Sequence, residues 1–392
     1  MMNISVYPVK ISCSDDVFDL CRRIGTDSGA LKYLLPKSEM IYIYCERVDY
    51  RAANFIKQEM LSRGGDTAVA KHVIDGKVDR SDILIMGTSR QILNLTEKMK
   101  AMKIWGIDLL REKISDAVSN LSCQKKWNFL SPNGHQISFS NKTSLMAIMN
   151  VTPDSFFDGS RTDEHGIIER AEKFLTEGAY ILDIGAESTR PGALPVSESE
   201  EAERLLPALK VLRKNFPDAL ISVDTYKSVI ARLSVDEGAD MINDISGGQF
   251  DPEMIGTVAE LGVPYVLSHT EGRPDEMRKY EGHENILGNV NRYFSEKLDE
   301  LSVKGVKTEN VMLDCGLGFG KSAEDNFTLL KNIESLSVFG RPLMIGHSRK
   351  RFTGGLSGTV GVTAMMSGRV SLMRVHDVKE NIEALRIAEG IK

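Results

Sequence analysis

The chain has 392 residues, 42% hydrophobic and 27% charged, with a formal net charge of −6. That length allows one large domain and a smaller one, and the composition is that of a globular enzyme. Net negative charge argues against a general nucleic-acid binder while leaving room for a local anion pocket.

No apolar run approaches the roughly 18 residues of a membrane helix, and Met1 to Asp15 lacks the basic and apolar layout of a secretory signal. No membrane association is expected, and the expected compartment is the cytoplasm. Cys13, Cys21, Cys45, Cys123 and Cys315 are odd in number and form no CxxC pair, so reduced thiols are expected rather than a disulfide framework or a structural zinc site.

In chain order, residues 1–121 read as a small α/β or α+β accessory domain. Met40 to Tyr44 and Asp82 to Met86 are strand-like; Arg51 to Arg63, Ser89 to Met102 and Ile107 to Leu121 are helix-like, with Gly64-Gly65 as a helix stop. This region carries no nucleotide, metal or nucleophile motif. The polar stretch Ser122 to Lys126 marks the boundary to a second domain, residues 122–392. There, Trp127 to Leu130 and Gln136 to Phe139 flank Pro132-Asn133-Gly134, a hairpin signal placed to plug the floor of whatever follows.

From Ser144 onward, short apolar runs alternate with amphipathic stretches. The strands are Leu145 to Met149, Ile181 to Ile184, Leu220 to Val223, Met241 to Ile242, Tyr265 to Leu267, Val311 to Leu313, Leu343 to Ile345 and Leu372 to Met373. The helices are Gly166 to Glu177, Ser197 to Asn215, Lys227 to Glu237, Pro252 to Leu261, Ile286 to Lys304, Ala323 to Ile333 and Lys379 to Ile391. Such a series in about 250 residues predicts an α/β fold, a (β/α)8 TIM barrel whose chemistry lies where strands end and loops begin. A doubly wound open sheet is the alternative.

The strand ends carry the chemistry. Leu145 to Met149 stops at Asn150 and breaks into a loop with Pro153, Asp154, Ser155, Asp158 and Gly159. Other strands end in Asp183, Asp224, Asn243-Asp244, Ser268-His269 and Asp314; strand seven leads into GHSRKRF and strand eight into RVHDV. Asp224, Asn243 and Asp314 suit a planar heterocycle rich in donors and acceptors, although polarity alone does not name the ring. Lys350, Arg374 and His376 form a cationic group fit for a diphosphate, and Asn150 offers a hard oxygen of the kind Mg2+ accepts. A solvated basic face is the plain alternative for Arg349-Lys350-Arg351.

CGLGFGKS, Cys315 to Ser322, is not a phosphate loop, because the place of its first glycine is taken by Cys315. It reads instead as close backbone approach to a flat ligand, with Phe319 as a wall. His269 and His283 suit no metal spacing and read as structural or solvent-facing, and Cys315 as inert.

Over Trp127 to Lys392, NVTPDSFFDG, DIGAESTRPGA, SVDTYK, INDISGG, SHTEGRPDEM, DCGLGFGK, GHSRKRF and RVHDV stand in the order of one family. The chain resembles the dihydropteroate synthases, which join a pterin to 4-aminobenzoate. The resemblance implies that Asn150 meets Mg2+ and diphosphate. It implies that Thr189, Arg190 and Pro191 shape the 4-aminobenzoate side, and that Asp224, Asn243, Asp314 and Lys350 hold the pterin diphosphate's ring, with Asp224, Lys350, Arg374 and His376 as the catalytic set. Arg374 and His376 would meet the leaving diphosphate, and Arg351, where a small hydroxyl residue is usual, would face the benzoate carboxylate or solvent. Ala186 replaces a usual glycine and Cys315 a usual proline, departures that bear on loop geometry. A homodimer is also implied. Two other functions are weighed: a methyltetrahydrofolate–corrinoid methyltransferase, which has no use for a diphosphate pocket, and a catalytically silent pterin-binding regulator, against which the intact strand ends speak.

Overall fold

The computed structural model of the chain describes residues 6, 8–9, 11, 14–121, 126–140, 142–151, 161–187, 195–273 and 282–391. It divides into two compact units, residues 1–123 with 338–340 and residues 124–337 with 341–392. Among the described residues no helix is long and apolar enough to cross a membrane.

In the first unit, helices α1 (Ser14–Ile24) and α2 (Ser28–Leu34) precede β1 (Met40–Asp49), α3 (Tyr50–Ser62), β2 (Asp66–Val69), β3 (Arg80–Thr88), α4 (Ser89–Met99) and α5 (Ile107–Asn120). The sheet is antiparallel in the order β1-β3-β2. Asp49 caps α3, and Thr88 with Gln91 forms a capping box on α4, satisfying backbone N–H groups that a helix start leaves open. Ile41, Ile56, Met60, Ile83, Ile85, Ile92, Leu95 and Ile114 make its core.

The strands run longer than the apolar pattern predicts. A bulge between Cys45 and Val48, with Arg47 at φ 54°, lets β1 continue to Asp49. Helices α1 and α2 and strand β2 were not expected. In α1 Val17, Leu20, Cys21 and Ile24 repeat at helical spacing although only Cys21 is buried, a rhythm the sequence reading passed over, and β2 is only four residues long.

The second unit opens with the hairpin β4 (Trp127–Leu130) and β5 (Gln136–Phe139). Eight parallel strands then close a barrel: β6 (Ser144–Asn150), β7 (Ile181–Gly185), β8 (Leu220–Asp224), β9 (Met241–Asp244), β10 (Tyr265–Ser268), β11 (Val311–Asp314), β12 (Leu343–Ile345) and β13 (Leu372–Val375). Helices α6 (Arg161–Glu177), α7 (Glu198–Asn215), α8 (Ser228–Asp236), α9 (Met254–Leu261), α10 (Ile286–Val303), α11 (Ala323–Lys331), α12 (Leu356–Met366) and α13 (Val378–Ile391) follow the strands in turn.

One inward side chain per strand builds the floor: Met146, Ile181, Leu220, Met241, Val266, Met312, Met344 and Leu372. Phe129, Ile137 and Phe139 of the hairpin pack on them, so the hairpin closes the floor. Each such side chain taken out of water is worth roughly 1.5–3 kcal/mol. Two residues further along six of the eight strands the same inward face becomes polar: Asp183, Ser222, Asn243, Ser268, Asp314 and Arg374.

Helix α12 was not expected. Its sequence, LSGTVGVTAMM, holds two glycines and four β-branched residues, all poor helix formers. Tertiary contacts outweigh that propensity: buried Thr363 donates to Asn381 Oδ1 at 2.5 Å and lies 2.8 Å from His347 Nε2, while Thr359 Oγ1 accepts from the Arg349 N–H at 3.1 Å.

Candidate active site

The polar end of the barrel is organised around Arg374. Its Nε donates to Asp183 Oδ2 at 2.5 Å and its Nη2 to Asp224 Oδ2 at 2.6 Å, so β13 is bound to β7 and β8 by two charge-assisted hydrogen bonds. Asn243 Nδ2 adds a longer contact to Asp183, 3.3 Å. Burial pushes the Asp224 carboxyl up to about 7 against the pull of Arg374, with Asp183 adding a further upward push. Asp183 Oδ1 and Asn243 Oδ1 are buried acceptors with no hydrogen-bond partner among the described residues. Each such group costs about 1–3 kcal/mol until a donor reaches it.

A second group forms around Asp314. Its Oδ1 accepts the Gly316 N–H at 2.9 Å, and burial raises its pKa. The glycine-rich loop turns back against the neighbouring loop so closely that a Cβ on Gly316, at φ +64°, would lie 1.8 Å from His269 O. Lys321 Nζ donates to the carbonyls of His269, Gly316 and Phe319 at 3.2, 2.9 and 3.1 Å. Its charge is spent on the loop, in keeping with the sequence reading that this is not a phosphate cradle. Phe319 is buried in a small cluster with Tyr226 and Ile245, and Lys350 Nζ stands 3.9 Å from its ring centroid. Burial brings Lys350 down to about 8, with Asp314 opposing the shift.

Beyond Lys350, Arg351 starts a short turn and is exposed. His376 is half-buried, with Nδ1 3.1 Å from Ser348 Oγ and its backbone N–H donating to the same oxygen. Asn150 ends β6, beside Gly185 of β7. Thr189, Arg190 and Pro191 lie outside the described residues, as does residue range 152–160 of the first loop. His269 is buried and neutral, held down to about 2 by burial, and Cys315 is a free buried thiol whose pKa burial raises.

A family model described as "pterin binding enzyme" matches residues 146–377. The chain belongs to the pterin-binding enzyme family. This pterin-binding enzyme is 38% identical over 263 residues to the dihydropteroate synthase of Synechocystis sp., covering 64% of this chain and 90% of that enzyme. It is 35% identical over 358 residues to a probable bifunctional folylpolyglutamate synthase/dihydropteroate synthase of Halobacterium salinarum, covering 88% of this chain and 42% of the relative. A match of that extent exceeds the second unit alone and runs into the first. The chain spans only 36% and 50% of two other, longer relatives. Among solved structures, a Xanthomonas albilineans dihydropteroate synthase with 4-aminobenzoic acid superposes with a TM-score of 0.59 at 34% identity, covering 65% of this chain and 95% of that one. In sequence and fold, this pterin-binding enzyme is similar to dihydropteroate synthases over its second unit.

Sequence reasoning gave no role to Asp183, although it stands two residues after an inward floor residue, as Asn243, Asp314 and Arg374 do. It also passed over a buried ionic network in the pterin-binding unit. Lys227 Nζ donates to Glu187 Oε2 at 2.5 Å, to Glu201 and to Val196 O at 2.7 Å, while Tyr226 donates to Glu187 Oε1 at 2.8 Å. No local pattern marks these partners, which are 40 and 26 residues from Lys227 in sequence.

Proposed function

We propose that the chain condenses (7,8-dihydropterin-6-yl)methyl diphosphate with 4-aminobenzoate, giving 7,8-dihydropteroate and diphosphate. The observation that carries this reading is the polar ring above the apolar barrel floor, Asp183, Asp224, Asn243, Asp314, Lys350 and Arg374, in a chain of this family. A solved relative holds 4-aminobenzoic acid and another pteroic acid, one proposed substrate and the core of the proposed product.

In this reading Asp224, Asn243, Asp314 and Lys350 hold the heterocycle's donor and acceptor edge, with Phe319 as a wall. Asp183 keeps Arg374 aimed between the ring and the leaving group, and His376, seated on Ser348, faces the diphosphate. The C–O bond breaks with its electron pair leaving on the diphosphate, and the ring carries the positive charge that results. Ionised Asp224 stabilises that cation, and Arg374 and His376 stabilise the departing anion. The arylamine lone pair then forms the C–N bond and the nitrogen sheds a proton. Arg351, exposed beside Lys350, meets the benzoate carboxylate, and Thr189, Arg190 and Pro191 serve the same substrate.

Mg2+ belongs to this reading as the ion that neutralises diphosphate charge. The donor set fits it: Asn150 supplies one hard carbonyl oxygen, and the described residues contain no three-ligand cluster of His, Cys, Asp or Glu, as for a magnesium held largely by phosphate and water. We also propose a homodimer in the cytoplasm. Phe327 of α11 and Leu356 and Met365 of α12 are 53%, 43% and 71% exposed, apolar side chains left to solvent in the single chain. The free, buried thiols Cys21, Cys45 and Cys315 agree with a reducing compartment.

The test is diphosphate release by the purified chain with both substrates and Mg2+. Release that requires the arylamine supports the reading, and binding of the pterin without release in any condition would refute it.

A further inference from the structure

His283 lies just before α10, and its ring stands between carboxylates from two different elements. Nδ1 is 3.1 Å from Asp325 Oδ2 on α11, and Nε2 meets Glu271 Oε2 in the loop after β10. A neutral imidazole has one donor and one acceptor nitrogen, so it would aim a lone pair at one of these acids; only the imidazolium donates to both. Burial pulls the ring's pKa down, and the two carboxylates together raise it above the ordinary histidine value.

Both acids are tied to the active-site loops. Asp325 Oδ2 accepts from the Ser322 N–H and hydroxyl at 2.9 and 2.8 Å, and its Oδ1 accepts the His283 N–H at 3.3 Å. Glu271 presses on the glycine-rich loop: a Cβ on Gly320, at φ +66°, would stand 2.7 Å from Glu271 O. Lys321 joins the same two loops through the His269 and Gly316 carbonyls. The far side of that loop carries Phe319, 3.9 Å from the Lys350 ammonium.

We infer that His283 is a positioning residue for the pterin site: its protonated ring straps the loop after β10 to the first turn of α11 and thereby holds Phe319 under Lys350. The strap itself is independent of the proposed reaction; its effect on substrate affinity rests on that reading. The charged groups facing the ring are Glu271 from the β10 loop and Asp325 from α11. Around them stand Lys321, brought down to about 8 by burial, the neutral His269 with Nε2 3.9 Å from Glu271 Oε1, and Glu284 and Glu324. Glu284 and Glu324 line, with His283 itself, a cavity of about 450 Å³.

A base whose pKa is raised on folding lends stability that is complete below its ordinary value, about 6.5 for histidine, and is lost as pH rises through the folded value. His283→Gln keeps one donor and one acceptor but never charges. In thermal unfolding of the full chain, the parent should exceed this variant most at about pH 6, and the gap should close as pH rises above the ordinary histidine value and the parent's ring loses its proton. Glu271→Gln removes one acid and should move the closure to lower pH. In kinetics, the variant-to-parent ratio of KM for the pterin diphosphate should be about three- to tenfold at pH 6.5 and approach one over the same rise in pH that closes the unfolding gap, with KM for 4-aminobenzoate unchanged. An unfolding gap that is absent or independent of pH overturns the strap. A pH-dependent gap with equal pterin KM values at every pH overturns its positioning role. Absent turnover in the parent counts against the synthase reading alone, because the unfolding gap still decides the strap.

Discussion

Lys350 brings a flexible ammonium against an aromatic face and opposite buried Asp314, and burial has brought it down to about 8. Lys350→Ala should lower kcat/KM for the pterin diphosphate at least tenfold, since a hydrogen bond from a charged group is worth roughly 1.5–3 kcal/mol; steady-state kinetics at saturating arylamine checks it. Because the working form is the protonated one, pterin affinity should fall as pH rises through about 8, and Lys350→Arg, which stays charged, should flatten that limb. Arg351 is exposed on the turn that follows. If its guanidinium meets the benzoate carboxylate, Arg351→Ser should raise KM for 4-aminobenzoate severalfold, leave the pterin KM unchanged, and lose its effect with an amide analogue of the benzoate. Equal KM values would return Arg351 to the solvent. Both residues stand in one sequence motif, GHSRKRF, yet their different exposures come from the backbone: Lys350 is extended and Arg351 begins a 3-10 turn.

At the scale of elements, loops are held by charges from distant parts of the chain. Lys227 satisfies Glu187 and Glu201 and also holds Val196 O. Lys227→Met should cost about 3–5 kcal/mol in thermal or denaturant unfolding, because two buried carboxylates lose their counter-charge; a cost below 1 kcal/mol would show that water replaces it. The glycine-rich loop depends on conformation instead. A side chain at Gly316 meets both a positive φ and a carbonyl at 1.8 Å, so Gly316→Ala should destabilise the protein and reduce turnover, whereas Gly361→Ala in α12, whose added Cβ meets nothing within 4 Å, should be neutral or slightly stabilising.

For the whole molecule, the described residues of the first unit carry a core of their own, and the polar ring lies within the second. A chain beginning at Cys123 should therefore fold and retain synthase activity; a soluble, folded truncation with no turnover would mean that the first unit completes the site or the assembly. The barrel was legible in the sequence because its strands are short apolar runs, most of them leading into polar residues, and parallel strands buried on both faces demand apolar runs. The hairpin was legible for the same local reason, through Pro132-Asn133-Gly134. Asp224, Asn243, Asp314, Lys350 and Arg374 were named because each ends a strand or its loop. What the sequence could not convey was partnership. That Arg374 lies between Asp183 and Asp224, that Lys227 is shared by Glu187 and Glu201, and that His283 bridges Glu271 and Asp325 depends on residues between 12 and 191 positions apart. Helix α12 belongs with these: its own residues disfavour a helix, and buried contacts to His347 and Asn381 impose one. Local periodicity and strand-end chemistry are properties of neighbouring residues and can be read along the chain. Charge pairing and packing are set by closure of the barrel, which alone decides which distant side chains share a dielectric, a hydrogen bond or a proton.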